Sequence, residues 1–173
     1  MENRMKLQSK ALIGLMALVL VACTDPDRFG SGGGAGAGGF GSGDLGSPSD
    51  PTSMAYFQQT VGDRVFFAVD QSTLSEEAKA TLEEQAIWML ANTEYSAVIE
   101  GHADEQGTRE YNLALGARRA NAVQEYLISR GISPARLRTV TYGKERPVEI
   151  CSTESCYSKN RRSVTVLTVG GIS

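Results

Sequence analysis

The amino-acid sequence predicts an α/β fold in which helices pack on one face of a mixed four-stranded sheet. Two hydrophobic patterns alternate along residues 54–173: short runs of β-branched and aromatic residues, and longer stretches with apolar residues three or four positions apart. The first pattern is typical of strands and the second of amphipathic helices. Their order (strand, helix, strand, helix, strand, strand) is that of a sandwich with one layer of helices.

The first half of this domain contains a strand, a helix and a second strand. Residues 64–69 (RVFFAV) form a β-branched and aromatic run that predicts a buried strand. Ser75 is a typical helix N-cap, and two glutamates follow it where the helix dipole favours acid. Asn92 is a plausible helix end, and residues 96–100 (SAVIE) predict the second strand. The apolar stripe of the helix consists of Ala78, Leu82, Ala86 and Met89.

The second half begins with a polar loop at residues 101–107. Thr108 is positioned to cap the next helix, and Gly131 ends it in the usual C′ position. Residues 138–142 (RTVTY) and 163–169 (SVTVLTV) predict the last two strands. The stripe of this helix is predicted to be Leu113, Ala117, Ala120, Val123 and Leu127.

Residues 1–22 have the form of a bacterial lipoprotein signal. Cations precede a twelve-residue apolar run, residues 11–22, which ends in small residues before Cys23. The run is too short to span a bilayer as a helix, which needs about 20 residues. Lipoproteins of this form carry lipid on the cysteine as the mature N-terminus, and Thr24, which is not Asp, points to the outer membrane. The alternative is an ordinary secretory signal with an incidental cysteine.

Residues 23–53 are predicted to be a lipidated N-terminus and a flexible tether. Residues 30–46 contain ten glycines, and such a tract buries too little apolar surface to offset its ordering entropy. A glycine-rich coil of thirty residues, 24–53, has a mean end-to-end distance of roughly 30 Å. The alternative is a spacer without function. The folded domain is assigned to residues 54–173.

Charge and cysteine content exclude several functions. Without the signal the chain has 14 basic and 19 acidic residues, a net charge of 14 − 19 = −5, so nucleic acid is not an expected partner. Cys151 and Cys156 predict a structural disulfide in an exported protein. With one histidine and no second cysteine pair, the chain has too few ligands for a metal site of this kind, and no cofactor is expected.

The candidate site lies where the second strand runs through the loop into the second helix. Arg119 is placed about 100° from the centre of the apolar stripe, bordering the core, and Asn112 lies on the same flank. Asp104, in the preceding loop, is within reach. A carboxylate and a guanidinium at the edge of a cleft can hold the ammonium and the carboxylate of a zwitterion. The alternative is a simple Asp104–Arg119 bridge, and the geometry alone favours neither.

Several motifs follow one another in order along about a hundred residues of the chain. They are residues 101–105 (GHADE), 111–112 (YN), 118–123 (RRANAV), 142–145 (YGKE) with Pro147, and 157–162 (YSKNRR). Together they resemble the OmpA C-terminal-like domain family, and within it the peptidoglycan-associated lipoproteins of the Tol–Pal system. Several long motifs in order are more specific than one short pattern.

This resemblance implies a function that the residues alone do not give. It implies an outer-membrane protein that binds peptidoglycan non-covalently through the diaminopimelate of the stem peptide. The family's ligand-binding aspartate and arginine fall on Asp104 and Arg119. Asp70 matches another acidic position of the pocket, and Asn112 an asparagine that supports the loop. Arg161, with the arginine after it, matches a pair before the last strand.

The resemblance also implies partners and roles. TolB is an expected partner, TolA is implicated in the same system, and the roles are envelope integrity and outer-membrane constriction in cell division. A monomer on the periplasmic face of the outer membrane, without enzymatic activity, is expected. Two alternatives stay open: a generic wall tether outside the Tol system, and a wall hydrolase suggested by His102, Asp104 and Glu105. Ile87 and Trp88 lie off the apolar stripe of the first predicted helix. They either form an exposed apolar patch or pack under a loop.

Overall fold

The computed structural model describes residues 45–170. The predicted signal peptide, Cys23 and most of the predicted tether lie outside the described residues. The positions given below all belong to the folded domain.

The sheet has four strands in the order β1-β4-β2-β3. β2 and β3 are parallel, whereas β4 is antiparallel to both β1 and β2. The prediction of a mixed four-stranded sheet is therefore confirmed. The strands are β1 (Arg64–Phe66), β2 (Tyr95–His102), β3 (Leu137–Gly143) and β4 (Arg162–Val169).

Within residues 45–170, four helices accompany the sheet: α1 (Met54–Tyr56), α2 (Glu76–Ala91), α3 (Arg109–Ser129) and α4 (Glu154–Asn160). α1 continues into a π-helical segment, Phe57–Gly62, and a 3₁₀ turn covers Pro134–Arg136. The two predicted N-caps are confirmed. Ser75 Oγ accepts a hydrogen bond from the Ala78 amide at 3.1 Å, and Thr108 Oγ1 accepts one from the Tyr111 amide at 3.2 Å.

The core lies between the sheet and the two long helices. Alternate residues of β2 and β4 face α2 and α3, as period-2 strands require. Ala97 and Ile99 are fully buried there, and Thr165 Oγ1 donates to Gln85 Oε1 of α2 at 2.8 Å. The predicted stripe of α2 is buried along its whole length. Its four members belong to one buried hydrophobic cluster that also contains Val65, Leu127, Ile132 and Leu167.

Two predicted elements differ from the structure. The predicted buried strand at residues 64–69 is a three-residue edge strand, β1, with an exposed, buried, exposed pattern, because it pairs with β4 alone. In α3, Leu113 and Ala117 are only partly buried. The buried face of the N-terminal half of α3 is rotated relative to the predicted stripe. It contains two polar residues and a glycine, which a search for apolar residues at helical spacing does not find. Its members are Asn112, Leu115, Gly116, Arg119, Ala120, Val123 and Leu127.

The segment before α1 packs against the domain. Trp88 Nε1 donates to the Pro51 carbonyl at 2.7 Å, and the Tyr95 hydroxyl donates to the Thr52 carbonyl at 3.2 Å. Trp88 is buried beneath this segment, whereas Ile87 is exposed. Packed contacts therefore begin before Met54, the start assigned to the domain from sequence.

Candidate ligand-binding site

A cavity of about 220 Å³ opens where β2 ends and α3 begins. It is bounded by the loop after β2, the first turns of α3 and the turn after β1. Three of the four predicted ligand residues lie in its wall. The lining residues are Val69, Asp70, Asp104, Gln106, Gly107, Tyr111, Asn112 and Leu115.

Asp104 presents a largely buried carboxylate, 7% exposed, at this cavity. Its Oδ1 accepts a hydrogen bond from the Gln106 amide at 3.1 Å, which fixes the loop as an Asx turn does. Its Oδ2 is 3.1 Å from Arg161 Nη1, in a buried ion pair. The carboxylate's ion-pair partner is thus Arg161, so the bridge to Arg119 that the sequence left open is not the arrangement found.

Arg119 is fully buried rather than placed at the lip of a cleft. Its Nε donates to the Gln71 carbonyl at 2.8 Å, Nη1 to the His102 carbonyl at 2.8 Å, and Nη2 to the Ala68 carbonyl at 3.2 Å. The guanidinium also lies over the Phe67 ring, 5.1 Å from its centroid. Burial lowers the pKa of Arg119 to about 10, which still leaves it a cation at neutral pH.

The position of Arg119 relative to the cavity follows from these bonds. Two of its acceptors flank Val69 and Asp70, and the third precedes the Asp104 loop, so the cation lies behind the wall that these residues form. The nearby Asp104 carboxylate counteracts part of the burial effect on the pKa of Arg119. The four residues therefore form one neighbourhood in which Arg119 is the innermost member.

Asp70 is held in the left-handed region, with φ of 57°, as the only described non-glycine residue there. Such a conformation is disfavoured for residues with a Cβ, although Asp tolerates it better than most. The Tyr111 hydroxyl donates to Asp70 Oδ1. This contact joins the turn after β1 to the first turn of α3 across the cavity.

Asn112 supports the loop and also presents an unused acceptor. Its Nδ2 donates to the Gln106 carbonyl at 2.8 Å. Its Oδ1 is buried and accepts no hydrogen bond from any described residue. A buried polar atom left without a partner costs about 1–3 kcal/mol, so this oxygen is a natural acceptor for a ligand that enters the cavity.

The segment that contains α4 forms an outer layer behind the Asp104 loop. Cys151 and Cys156 are joined by a disulfide, with Cα atoms 5.9 Å apart. Within the closed loop, Glu154 pairs with Arg161, which also forms an ion pair with Asp104. Sequence reasoning missed Glu154 because nothing in its local pattern indicates a partner seven residues away across the end of a helix.

His102 lies in β2 with 1% exposure. Its ring stacks on Tyr142, with centroids 5.5 Å apart, and its Nε2 is 3.5 Å from Glu100 Oε2. Burial lowers the pKa of His102, which favours the neutral imidazole. Within residues 45–170 there is no cluster of His, Cys, Asp and Glu side chains that could hold a metal ion.

Comparison with known proteins supports this description of the chain. The profile of the OmpA family matches residues 66–161. The peptidoglycan-associated lipoprotein of Rhizobium meliloti is 48% identical over 158 residues, which are 88% of this chain and 84% of that protein. The protein of the same name from Pseudomonas aeruginosa is 41% identical over 155 residues, 88% of this chain and 92% of that protein.

The chain belongs to the OmpA family, and within it to the peptidoglycan-associated lipoproteins. A crystal structure of such a lipoprotein from Burkholderia pseudomallei is 33% identical, with a TM-score of 0.62, and the match covers 70% of this chain and 98% of that one. The C-terminal domain of Helicobacter pylori MotB, at 20% identity and a TM-score of 0.58, covers 62% of this chain and 84% of that chain and shares the fold alone.

The range matched by the OmpA family profile, residues 66–161, includes all four residues of the predicted site. They are Asp70, Asp104, Asn112 and Arg119. The relatives are named for association with peptidoglycan rather than for a reaction, and the prediction that the chain is not an enzyme is confirmed on that ground. None of the helices in residues 45–170 has the length and apolar character needed to cross a membrane.

Proposed function

We propose that the chain is a lipid-anchored outer-membrane protein that binds peptidoglycan non-covalently through the diaminopimelate of the stem peptide. The side chain of diaminopimelate ends in an ammonium and a carboxylate on one carbon. The observation that supports this ligand is the cavity itself, which has two carboxylates in its wall and a buried guanidinium behind them.

The ammonium is assigned to the acidic part of the cavity. Asp104 and Asp70 supply negative charge, and Asn112 Oδ1 supplies an acceptor that no described residue uses. A charge-assisted hydrogen bond contributes about 1.5–3 kcal/mol in such a partly desolvated site. Lysine in place of diaminopimelate would offer an ammonium without the adjacent carboxylate.

The carboxylate is assigned to Arg119. Three carbonyls already accept from this guanidinium, and a guanidinium has five N–H donors, so it retains donor capacity in this arrangement. The guanidinium has no solvent-exposed surface, so a carboxylate cannot contact it in the arrangement described. Binding therefore involves a shift of residues 68–71, which hold Arg119 through two of the three bonds.

Protein partners belong to the same proposal. Membership among the peptidoglycan-associated lipoproteins supports TolB, and TolA in the same system, as partners that link the wall tether to envelope integrity and cell division. The alternative is a wall tether outside the Tol system. Cross-linking in cells followed by pull-down of this chain separates the two, because recovery of TolB is expected only for the first.

Binding to isolated sacculi tests the ligand. We expect the protein to bind sacculi with diaminopimelate in the stem peptide, to bind weakly to sacculi with lysine at that position, and to be displaced by soluble meso-diaminopimelate. Asp104→Asn should weaken binding about 10- to 100-fold, because it removes one charge-assisted contact at nearly constant shape.

The matched control is Asp63→Asn, the same charge change at a residue that pairs with Arg64 away from the cavity. It should bind as the wild type does. Equal binding to both kinds of sacculi would contradict the assignment of diaminopimelate.

A further inference from the structure

Two acidic residues of the ligand loop are held by the segment that contains the disulfide, residues 151–161. The Ser152 and Tyr157 hydroxyls both donate to Glu105 Oε1 at 2.9 Å. Arg161 Nη1 donates to the neighbouring Asp104 at 3.1 Å. The loop that presents Asp104 to the cavity is therefore supported from behind by residues 151–161.

Arg161 is shared between two carboxylates. It is 4% exposed, and its Nε donates to the Phe67 carbonyl at 3.2 Å. Besides its bond to Asp104, it makes a two-pronged contact with Glu154, in which Nη1 is 3.3 Å from Oε2 and Nη2 contacts Oε1. Arg161 holds the pKa of Glu154 below its usual value, so this carboxylate is ionised at neutral pH.

This sharing affects the carboxylate that faces the cavity. A buried guanidinium paired with Asp104 alone would neutralise it and compete with the ammonium of a ligand for the same oxygens. Glu154 supplies the second negative charge and occupies both terminal nitrogens of Arg161. Asp104 then keeps negative charge directed at the cavity while it remains fixed in position.

We propose that Glu154 is a positioning residue for the ligand site, which keeps Asp104 available to a cationic group by sharing Arg161. This inference rests on the proposed function, because it concerns the ammonium subsite of the same cavity. Glu154 is the first residue of α4 and lies inside the loop closed by Cys151 and Cys156. In this proposal the disulfide holds Glu154 at hydrogen-bonding distance from Arg161.

Titration calorimetry of the mature full-length chain in detergent, with meso-diaminopimelate as the probe, tests the proposal. Glu154→Gln should raise the Kd about 3- to 10-fold, and Glu154→Asp, which keeps the charge, should retain most of the affinity. Glu149→Gln is the matched control. It makes the same charge change two residues before Cys151, but Glu149 pairs with Lys159 at 2.9 Å.

The route through Arg161 and the disulfide is tested by combining variants. In an Arg161→Gln background, Glu154→Gln should have no further effect on the Kd. The double variant Cys151→Ser/Cys156→Ser should raise the Kd by a factor similar to that of Glu154→Gln, and adding Glu154→Gln to it should change little.

Two results would overturn the inference alone: equal Kd values for Glu154→Gln and Glu149→Gln, or equal losses in Glu154→Gln and Glu154→Asp. Either would be seen against a wild-type protein that binds the probe. A wild-type protein that does not bind meso-diaminopimelate would overturn the proposed function, and this inference with it.

Discussion

At the scale of single residues, Arg119 shows how a charged side chain can be part of a core. Removing a guanidinium from water is costly unless its donors are satisfied, and here three backbone carbonyls accept from it. These carbonyls lie at the end of β2 and in the turn after β1. Arg119 therefore joins the two chain segments that form opposite sides of the candidate site.

Replacing Arg119 by Lys should destabilise the fold as well as weaken binding. A lysine ammonium is a compact charge and cannot span three separated acceptors, so at least one buried carbonyl loses its partner. We expect the free energy of unfolding to fall by about 2–4 kcal/mol. Urea denaturation measures this loss.

Arg118→Lys is the control, because the neighbouring Arg118 is exposed and the chemical change is identical. It should change the free energy of unfolding by no more than a surface substitution does, about 0.5 kcal/mol. Equal stabilities of the two lysine variants would contradict the structural role assigned to Arg119.

The identities of the site residues could be proposed from sequence, whereas their contacts could not. The motifs indicated Asp104 and Arg119, and both lie in the neighbourhood of the cavity. Arg119 was expected at the edge of the core because the stripe was counted from apolar residues only. Its acceptors are 48, 17 and 51 residues away in the chain, so no local pattern contains the reason for its burial.

At the scale of elements, the site depends on a close approach of α3 to β2. A Cβ added to Gly101 would lie 1.9 Å from the Gly116 carbonyl oxygen, and one added to Gly116 would lie 2.5 Å from Thr141 Oγ1. Glycine at both positions lets the helix backbone touch the sheet. This contact fixes the start of α3 relative to the loop that carries Asp104.

Gly116→Ala should therefore push α3 away from the sheet. The new Cβ would meet the Gly101 carbonyl oxygen at 2.8 Å as well as Thr141 Oγ1, which itself donates to the Leu113 carbonyl at 2.9 Å. We expect a loss of about 1–3 kcal/mol in the free energy of unfolding and a weaker affinity for sacculi. Urea denaturation and the sacculus assay measure the two effects.

Ala114→Ser provides the comparison, because Ala114 is exposed on the same helix. It should change neither quantity by more than a surface substitution does. Wild-type stability in Gly116→Ala would show that the helix moves without cost and that the close approach does not hold the site.

Elements with local signals could be predicted, and those fixed by distant contacts could not. Ser75 and Thr108 cap α2 and α3 through bonds to residues three positions on, which lie within any short sequence window. In contrast, α4 is a seven-residue helix without an apolar stripe. Its last residue, Asn160, is held by bonds to the backbone of Val148 and Glu149.

At the scale of the whole chain, the proposed function needs two attachments. The described domain, residues 45–170, contains the candidate wall-binding site. The membrane attachment is predicted from sequence at Cys23, followed by a glycine-rich tract with a predicted reach of roughly 30 Å. A clamp between outer membrane and wall fails if either attachment is removed, and the two can be removed separately.

Cys23→Ser tests the membrane attachment without touching the wall site. The contacts that define the cavity all lie within the described domain, so its affinity for sacculi should be unchanged. Without the cysteine no lipid can be attached. Because even one acyl chain gives only marginal membrane binding, a variant with no acyl chain has no lipid to hold it in the membrane. We therefore expect the variant to leave the membrane fraction after cell lysis and still sediment with sacculi.

The double variant Cys151→Ser/Cys156→Ser is the control for loss of cysteine, since it removes the disulfide but keeps Cys23. It should stay in the membrane fraction. The pair of variants thus separates lipid attachment from thiol chemistry, and Cys23→Ser combined with Asp104→Asn should lose both the membrane and the wall. Persistence of Cys23→Ser in the membrane fraction without wall contact would contradict the lipid anchor.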